Sequence, residues 1–527
     1  MRFLFGITAA ISASTHAVAA QRAKPELPRV YLETKYPTVS RKVPVRAGSS
    51  LQAALNAARS GDELVLAAGA SYVGNFRWTR CLPGYVTITG PDGPAEGVRV
   101  TPTTAAASRY PRLISPTIEP VILARSGACR LRLSRLEITA TAQSATASHN
   151  EGLVRLGDGD NTLESQPSEI TLDRVWIHGS PTTSTKNGAV FNGRSLALID
   201  SWIDQVRWKG IESHCVVAWT GAGPMKLVNN HFDCASIGVL LGGAARGIAD
   251  VAPSDVEVRG NHFVKDTAYK GYVAKNLFEV KDARRVLLEG NVIEHSWFEA
   301  QSAMAINLQS LTDEKNSAVQ ATDITVRWNR VTQAGQCITM SARGYNGVAS
   351  PMAKVQIEQN LCTEIGIDSI NRVLLLTADL QGVELRHNTF IRVATPRKGS
   401  VTYLQKGSGP PASRVDFVDN LLGPGLDYGC VFGEGKSGSD ALAKYAKQWS
   451  FVGNGCWDSH PGAAAYPAGN SFVATQADVK FNADWSLSSQ SPFKGKASDG
   501  KDPGVDVAEL QRRLAGVVGA PTPASKP

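Results

Sequence analysis

One short phrase recurs along the second half of this chain, and it constrains the fold more than any other feature of the sequence. Each copy is centred on an Asn, with apolar residues five and three positions before it and an apolar residue or Cys two positions after it. The copies follow one another about every 30 residues, which is the spacing of a solenoid or a related repeat array. The repeated residues are Asn230, Asn261, Asn291, Asn329, Asn360, Asn388, Asn420 and Asn454.

Most residues between the apolar positions are polar, and this period-two alternation predicts a β-strand on each side of a tight turn. The repeats carry no long apolar pattern of helical period, which a helical repeat would need. Strands that wind into a coil stack on the next coil at a spacing of about 4.8 Å. Asn is a common turn residue, but its recurrence in one register predicts an Asn ladder, in which each amide hydrogen bonds to the coils above and below.

Two stretches carry a resemblance to a known family, and they read NLFEVKDARRVLLEGN and GGAARGIADVAPSDVEVRGNHF. With its short imperfect coils and Asn corner, the chain after residue 48 resembles the right-handed parallel β-helix proteins of the pectin-lyase-like superfamily. Residues 205 to 310 are also similar to a group of secreted bacterial β-helix proteins. The resemblance implies an all-β solenoid, a right-handed parallel β-helix of about 11–13 coils, to which the residues add an N-terminal capping helix and a short C-terminal helix. It implies a fold rather than an activity.

The first part of the chain is expected to contain an export signal and a lead-in. Residues 1–20 combine Arg2, an apolar run and small residues, which is typical of a secretory signal peptide. Residues 21–47, rich in Pro and basic residues, are predicted to form an extended lead-in. We therefore expect a secreted or periplasmic protein.

The β-helix itself is predicted to span residues 48–505 as one long domain, because a solenoid grows in one dimension. Helix-forming residues after Ser49 predict a helix that covers its open N-terminal end. Residues 506–527 are predicted to form a helix over the C-terminal end and a disordered tail. Two stretches rich in Ala, Ser and Thr, 103–118 and 140–167, are expected to be loops that project from the coil.

The charge of the chain favours an acidic partner. The formal net charge is +8 and the isoelectric point is about 9.0. For an exported protein this favours a uronate-containing polysaccharide, although Lys and Arg can also simply cover a large surface. Because no basic run is interleaved with aromatic residues, we expect no binding to nucleic acid. We also expect a monomer without a membrane span.

The eight cysteines contain no CxxC pair, so a metal or thioredoxin-type site is not indicated. Cys362 and Cys456 occupy the inward position after the repeated Asn and are expected to pack in the core. Two pairs lie about one coil apart, Cys337 with Cys362 and Cys430 with Cys456. An oxidising compartment would allow disulfides, but the sequence does not assign them.

The resemblance places a functional site on the strand that follows the Asn corner and on the turn beside it. Alternation turns Phe278 and Val280 inward, so that Glu279 and Lys281 face outward. By the same rule the outward residues of the following coils are Asn307, Gln309, Thr339, Ser341, Arg343, Thr377 and Asp379.

This outward stripe predicts a groove for an extended acidic glycan. Lyase chemistry on a uronate needs a base and a cation that stabilises the enolate. We therefore predict Lys281, Glu279 and Arg343 as catalytic residues, with Lys281 as the base if its pKa is lowered and Arg343 or Arg284 pairing with the substrate carboxylate. Asn307, Gln309, Trp297 and Asp379 are predicted to contact substrate, with Trp297 stacking on a sugar ring or packing in the protein.

Several alternatives stay open at this point. Glu279, Lys281, Arg284 and Arg285 also fit an ordinary solvent-exposed ion-pair cluster, which is the plainer interpretation. Hydrolysis would need two carboxylates, for which Glu279 with Asp379 or Glu299 are candidates. A non-catalytic carbohydrate-binding or structural β-helix is a further alternative. No cofactor is indicated for certain, although Asp and Glu on adjacent coils could bind calcium.

Overall fold

Successive coils of the chain stack through three long parallel sheets, which together form a right-handed parallel β-helix. The structure is a computed structural model. It describes residues 24–141, 152–158, 162–180, 184–244, 248–311, 320–342, 350–367, 371–393 and 398–518.

Each sheet runs the length of the coil. Sheet A contains β1 (Arg41–Val45), β2 (Asp62–Leu66), β5 (Cys81–Thr89), β8 (Cys129–Ser134), β11 (Ser168–Asp173), β14 (Arg194–Ile199), β17 (Met225–Val228), β20 (Ser254–Arg259), β23 (Arg284–Glu289), β26 (Thr322–Arg327), β29 (Met352–Glu358), β32 (Leu380–Arg386), β35 (Ala412–Val418) and β39 (Ala446–Val452). Sheet B contains β3 (Ser71–Val73), β6 (Arg112–Ser115), β9 (Glu137–Ala140), β12 (Trp176–His178), β15 (Trp202–Val206), β18 (His231–Cys234), β21 (His262–Val264), β24 (Val292–Ser296), β27 (Arg330–Ala334), β30 (Leu361–Ile365), β33 (Thr389–Arg392), β36 (Leu421–Gly423), β40 (Gly455–Trp457) and β41 (Ser471–Val473). Sheet C contains β4 (Phe76–Trp78), β7 (Ile122–Ala124), β10 (Val154–Leu156), β13 (Asn187–Phe191), β16 (His214–Ala218), β19 (Ile237–Leu241), β22 (Phe278–Val280), β25 (Met304–Gln309), β28 (Gln336–Ser341), β31 (Leu374–Thr377), β34 (Thr402–Gln405), β37 (Val431–Gly433) and β38 (Lys436–Ser437). The helices are α1 (Leu51–Ala57), α2 (Pro102–Ala107), α3 (Gly438–Tyr445), α4 (Gln476–Val479) and α5 (Val507–Leu514), with short 3-10 turns at Thr267–Tyr269 and Ala463–Ala465.

Twelve successive coils each give one strand to each sheet, from β2, β3 and β4 to β35, β36 and β37. This confirms the predicted all-β solenoid and its number of coils. Inward residues in the same register, such as Phe232 and Phe263, pair across adjacent strands with ring centroids 5.0 Å apart. Apolar side chains from every coil thereby form one continuous core along the axis.

The repeated Asn residues stack at the corner between sheets A and B. In each step the backbone N–H and the side-chain amide of one Asn both donate to the Oδ1 of the next, as from Asn261 to Asn291 at 2.9 and 3.1 Å. The amide of Asn291 also donates to the Val258 carbonyl, at 3.0 Å. This Asn stack starts at Asn230 and ends at Asn470, a member that the sequence analysis missed because only 16 residues separate it from Asn454.

The corner has the same backbone conformation in every coil. The residue before each stacked Asn has a positive φ, for example 56° at Trp328, 55° at Gln359 and 58° at Asp419. The three preceding coils lack Asn at the corner but keep this conformation, at Arg135, Arg174 and Asp200. The left-handed residue therefore sets the bend, and the Asn stack satisfies the backbone groups that the bend exposes.

The N-terminal segment both covers the end of the coil and runs along its side. In α1, Leu51 and Leu55 are buried in the core, and Ser50 caps the helix by accepting from the Ala53 N–H. The predicted lead-in contains β1, which pairs with β2. Residues 1–20, the predicted signal peptide, lie outside the described residues.

Residues 24–36 cross the outer face of sheet A as an extended strap. The Glu26 N–H donates to Asp323 on β26, whereas the Tyr36 hydroxyl donates to Glu63 on β2, eight strands away in the sheet. Between them, the Lys226 ammonium donates to the Leu32 carbonyl at 2.9 Å. About ten extended residues span about 35 Å, which matches the height of these coils.

The prediction that residues 103–118 form a loop is wrong. This stretch contains most of α2, which begins at a Thr101 capping box, and all of β6. The segment around α2 folds onto the outer face of sheet B, where Val100, Ala105 and Tyr110 pack against Trp176 and Trp202. The loop predicted for residues 140–167 likewise contains β10, and residues 142–151 and 159–161 lie outside the described part.

The C-terminal helix is present as α5, but it does not cover the end of the coil as expected. Its residues Val507 and Leu510 pack beside Leu361 on the flank of β30. At this end of the coil α3 packs against the core instead, and its residues Leu442 and Tyr445 are buried there. The predicted disordered tail lies in part beyond the described residues, which end at Val518.

Three disulfides join neighbouring parts of the coil. They link Cys81 to Cys129, Cys215 to Cys234 and Cys337 to Cys362. Cys430 and Cys456 are buried thiols. Among the residues described, no helix is both long and apolar enough to span a membrane.

Candidate functional site

The chain itself covers large parts of two of the three outer faces. Sheet A carries the N-terminal strap, and its charges pair with one another, as Glu289 does with Arg327 and Arg513 at 3.1 and 2.8 Å. Sheet B carries the α2 segment and α5. These placements direct attention to the outer face of sheet C, where the sequence analysis placed the candidate site.

The register of sheet C aligns several of the predicted residues. Glu279 on β22 lies opposite Asn307 on β25, and Asn307 lies opposite Thr339 on β28. Gln309 lies opposite Ser341 in the same pair of strands. We call the line of outward residues that passes through Glu279 and Asn307 the outer column.

Glu279 points away from the core and yet is buried, with 1% of its surface exposed. One carboxylate oxygen accepts from the Asn276 amide at 2.8 Å, and the other accepts from the Asn307 amide at 3.1 Å. Burial raises the pKa of the Glu279 carboxyl, although the neighbouring Lys281 opposes the shift. Asn307 is buried as well. The expectation of a solvent-exposed ion-pair cluster is therefore wrong for Glu279, because the alternation of a strand gives direction and does not give exposure.

Lys281 reaches from this buried carboxylate toward the solvent. Its Nζ lies 3.8 Å from Glu279 Oε1, and 16% of its side chain is exposed. Gly243, at the end of the neighbouring strand, leaves room for the lysine stem, because a Cβ at this position would lie 2.6 Å from Lys281 Cδ. The φ of Gly243 is also +92°, which disfavours any other residue.

The turns that enter sheet C add charged residues that the sequence analysis did not select. The Lys275 ammonium donates to the Glu212 carboxylate, which is also 3.8 Å from the His214 ring. Contact with His214 and with Lys275 lowers the pKa of Glu212, against the effect of burial. Burial lowers the pKa of His214, whose Nδ1 is 2.7 Å from the Asn187 amide oxygen.

Burial also lowers the pKa of Lys186, which interacts electrostatically with Glu212. Lys186, Lys275 and Lys281 thus surround Glu212 and Glu279 on one outer face, and we call this group the cation face. Three ammonium groups stand against two carboxyl groups, one of which has a raised pKa. An excess of partly desolvated positive charge is suited to binding an anionic ligand.

The remaining predicted residues are spread more widely. Trp297 is half-buried in the turn between β24 and β25, next to Ser296, whose hydroxyl donates to the Lys275 carbonyl. Asp379 follows β31, three strands from β22, and is about 14 Å along the axis from Lys281. Its carboxylate accepts from Gln381 at 3.4 Å, so it lies outside the cation face. Arg343 lies outside the described residues.

A group of potential metal ligands lies elsewhere. His387, Asp419 and Asp499 place their ligand atoms within 4.8 Å of one another at the corner of sheets A and B. Asp419 already accepts from Arg386 at 3.2 Å and from the Ser498 hydroxyl at 2.9 Å. A histidine-containing set that is neutralised by an arginine does not fit calcium, which prefers oxygen ligands.

Comparison with known proteins supports the fold. No protein-family model and no curated protein sequence matches the chain. The PL6-family alginate lyase AlyGC has a similar structure, with 12% identity and a TM-score of 0.50 over 92% of this chain and 60% of the lyase. This chain thus spans 60% of the length of that enzyme.

A mannuronic acid specific polysaccharide family 6 lyase from human gut microbiota gives a TM-score of 0.50 at 11% identity, over 91% of this chain and 96% of the lyase. The catalytic domain of a GH87 α-1,3-glucanase gives a TM-score of 0.46 at 10% identity, over 86% of this chain and 70% of the glucanase chain. At these identities, the two lyases show that the chain has the parallel β-helix fold.

Proposed function

We propose that this protein binds an acidic, uronate-containing polysaccharide on the cation face and cleaves it by β-elimination. The observation that carries the proposal is the cluster of Lys186, Lys275 and Lys281 around two carboxyl groups, Glu212 and the buried Glu279, on the outer face of neighbouring coils. An extended glycan can run along such a face, parallel to the axis of the coil. The two PL6 lyases of similar fold support the same class of substrate.

In the proposed reaction, the Lys281 amine acts as the base, removing the proton alpha to a uronate carboxylate and becoming an ammonium. The electron pair of the C–H bond forms a carbon–carbon double bond, and the glycosidic C–O bond on the neighbouring carbon breaks. The leaving oxygen takes a proton from the Lys281 ammonium, so that one fragment ends in a hydroxyl and the other in an unsaturated uronate. Lys186 and Lys275 stabilise the negative charge that develops on the carboxylate.

Glu279 has a positioning role in this proposal. Because it is buried and accepts from Asn276 and Asn307, its carboxyl group is held below the surface and orients the Lys281 side chain from there. This revises the predicted catalytic role of Glu279. Arg343 keeps its predicted role as a partner of the substrate carboxylate, Gln309 and Trp297 keep theirs as substrate contacts, and export by the signal peptide belongs to the same proposal.

A second candidate function is hydrolysis, and one observation favours it. The pKa of Glu279 is raised and the pKa of Glu212 is lowered, and opposite shifts of two neighbouring carboxyl groups are what an acid and a base require. The burial of Glu279 is the argument against this assignment, because a general acid must reach the glycosidic oxygen.

Incubation with uronate polymers distinguishes the candidates, and alginate is the first polymer to test because both similar lyases are named for alginate or mannuronic acid. We expect ultraviolet absorbance from unsaturated products to rise together with new reducing ends. Reducing ends without absorbance would indicate hydrolysis. If a broad panel of acidic polysaccharides gives neither signal, the protein is not a lyase or hydrolase of this class.

A further inference from the structure

The outer column continues from the cation face toward the C-terminal end of sheet C, where its residues change from polar to apolar and aromatic. After Glu279, Asn307 and Thr339, the register aligns Leu375, then Tyr403 on β34 and Phe432 on β37. The outward residues predicted from the sequence extend only to Thr377 and Asp379 and do not include Tyr403 or Phe432. These aromatic residues therefore belong to the same line on the surface as the candidate site.

Three half-buried aromatic rings meet at this point. Tyr428 stacks on Phe432 with centroids 4.3 Å apart and planes inclined at 22°. Tyr403 meets the edge of Phe432 at 5.3 Å. We call Tyr403, Tyr428 and Phe432 the aromatic platform. Rings that neither belong to the core nor are fully exposed present a flat apolar surface to a ligand.

Two arginines and one carboxyl group, that of Asp427, lie beside the platform, which leaves it with an excess of positive charge. The Arg372 guanidinium lies 5.6 Å from the Tyr403 ring centroid, and its Nε donates to Gln336 at 2.7 Å, which fixes the side chain. Arg392 is 1% exposed, and its Nε and Nη2 have no hydrogen-bond partner within the described part of the chain. Burial lowers the pKa of both side chains, in keeping with a partly desolvated site for an anion.

We propose that the aromatic platform is a distal subsite for a sugar ring of the same acidic polysaccharide. A pyranose has an apolar face that stacks on aromatic rings, and the carboxylate of a uronate would complement the charge of Arg372. Tyr403 and Phe432 lie four and five strands from Lys281, about 19 and 24 Å along the axis. Since a sugar unit advances by a length close to one coil, the platform contacts the glycan about four to five units from the bond that breaks.

This inference rests on the proposed function, and it makes a claim about the length of the ligand. A uronate trisaccharide bound at the cation face is too short to reach the platform, whereas an octasaccharide reaches it. Binding energy from the platform should therefore appear only for the longer ligand.

The test compares binding of uronate tri- and octasaccharides to the full chain by calorimetry, and every protein compared, including the one with the wild-type platform, carries Lys281→Ala so that no ligand is cleaved. We expect the wild type to prefer the octasaccharide, and the double variant Tyr403→Ala, Phe432→Ala to lose about fivefold to tenfold in affinity for it with no change for the trisaccharide. The single variant Phe432→Tyr keeps both rings and should keep the preference for the octasaccharide, whereas the single variant Phe432→Ala should weaken it even if the double variant folds poorly. Tyr31→Ala, on the strap over sheet A, is the matched control.

A double variant that folds normally and keeps the full preference for the octasaccharide would overturn the subsite while leaving the proposed function intact. If the wild type binds both ligands equally, the subsite is also wrong. If it binds neither and cleaves no acidic polysaccharide, the proposed function itself fails and the subsite fails with it.

Discussion

At the scale of single residues, the side chain of each stacked Asn both accepts hydrogen bonds from one neighbouring coil and donates a hydrogen bond to the other. For example, Asn329 Oδ1 accepts two hydrogen bonds from Asn291 in the preceding coil. Its amide donates to Asn360 in the following coil and to the backbone carbonyl of Leu288 in the preceding coil. Because seven of these Asn residues are completely buried, each lost bond would leave a polar group without water. The Asn stack therefore fixes the register in which the corner of each coil lies against the corner of the next coil.

Asn329→Leu tests this directly. The substitution leaves the backbone N–H and amide of Asn291 without an acceptor and Asn360 Oδ1 without the side-chain donor. We expect the free energy of unfolding to fall by about 3 kcal/mol, measured by urea denaturation. Asn482→Ala, at an exposed position, is the control and should change stability by less than about 0.5 kcal/mol. A similar small effect for Asn329→Leu would contradict the role of the stack.

A second residue, Asp233, should make stability depend on pH. Burial raises the pKa of Asp233 to about 7, and nearby Asp204 and Asp266 add to this. Since the folded-state pKa is above the unfolded value, the native protein binds the extra proton between about pH 4 and pH 7. The contribution of Asp233 to the free energy of unfolding is therefore complete at low pH, and it is lost as the pH rises through 7.

Asp233→Asn should remove this dependence. Between pH 4 and pH 8 we expect the wild type to lose up to about 4 kcal/mol more unfolding free energy than the variant does. The measurement is a pair of denaturation curves for each protein at the two pH values. Asp92→Asn, at an exposed position, should behave like the wild type. Parallel losses in wild type and Asp233→Asn would show that Asp233 ionises normally in the folded protein.

At the scale of strands and turns, the sequence predicts those features that repeat. The period-two pattern and the Asn at each corner predict the strands, the corner and the outward direction of Glu279 and Asn307 correctly. They do not predict that these two side chains are buried, because the turns that cover them have no common period. For the same reason Glu212 and Lys275 were missed, since each comes from an irregular turn in a different coil. The helix α2 was missed because its Thr and Ala residues also fit a loop.

The strand register also makes a prediction about the two thiols. Cys430 lies in the same register position as Cys337, and Cys456 in the same position as Cys362, three coils further on. The pKa of Cys456 is raised by burial and then by the adjacent Cys430. We expect a small-molecule disulfide to take up two electrons while the two thiols lose two protons and form a fourth disulfide, which would enclose α3 in a covalent loop.

Labelling with a maleimide after denaturation without reductant measures this. Protein refolded with a small-molecule disulfide should show no free thiol, and Cys430→Ser should show one. Two free thiols in the refolded wild type would contradict the prediction, because the register match would then not bring the sulfurs within bonding distance.

At the scale of the whole molecule, the chain uses its irregular segments to cover the faces of a regular coil. The strap covers sheet A, the α2 segment and α5 cover parts of sheet B, and each is attached by named contacts, such as Lys226 with Leu32. Sheet C carries the cation face at its centre and the aromatic platform farther along one column. A solenoid of this kind presents a long surface, which is suited to a linear polymer.

The most direct test of the proposed function is the mass of the oligosaccharides released from a uronate polymer. β-Elimination by Lys281 predicts products that lack one water relative to hydrolysis products, and it predicts that Lys281→Ala, checked for normal folding, forms them at least about a hundredfold more slowly. Products that contain the added water, or a Lys281→Ala variant with wild-type activity, would contradict the account.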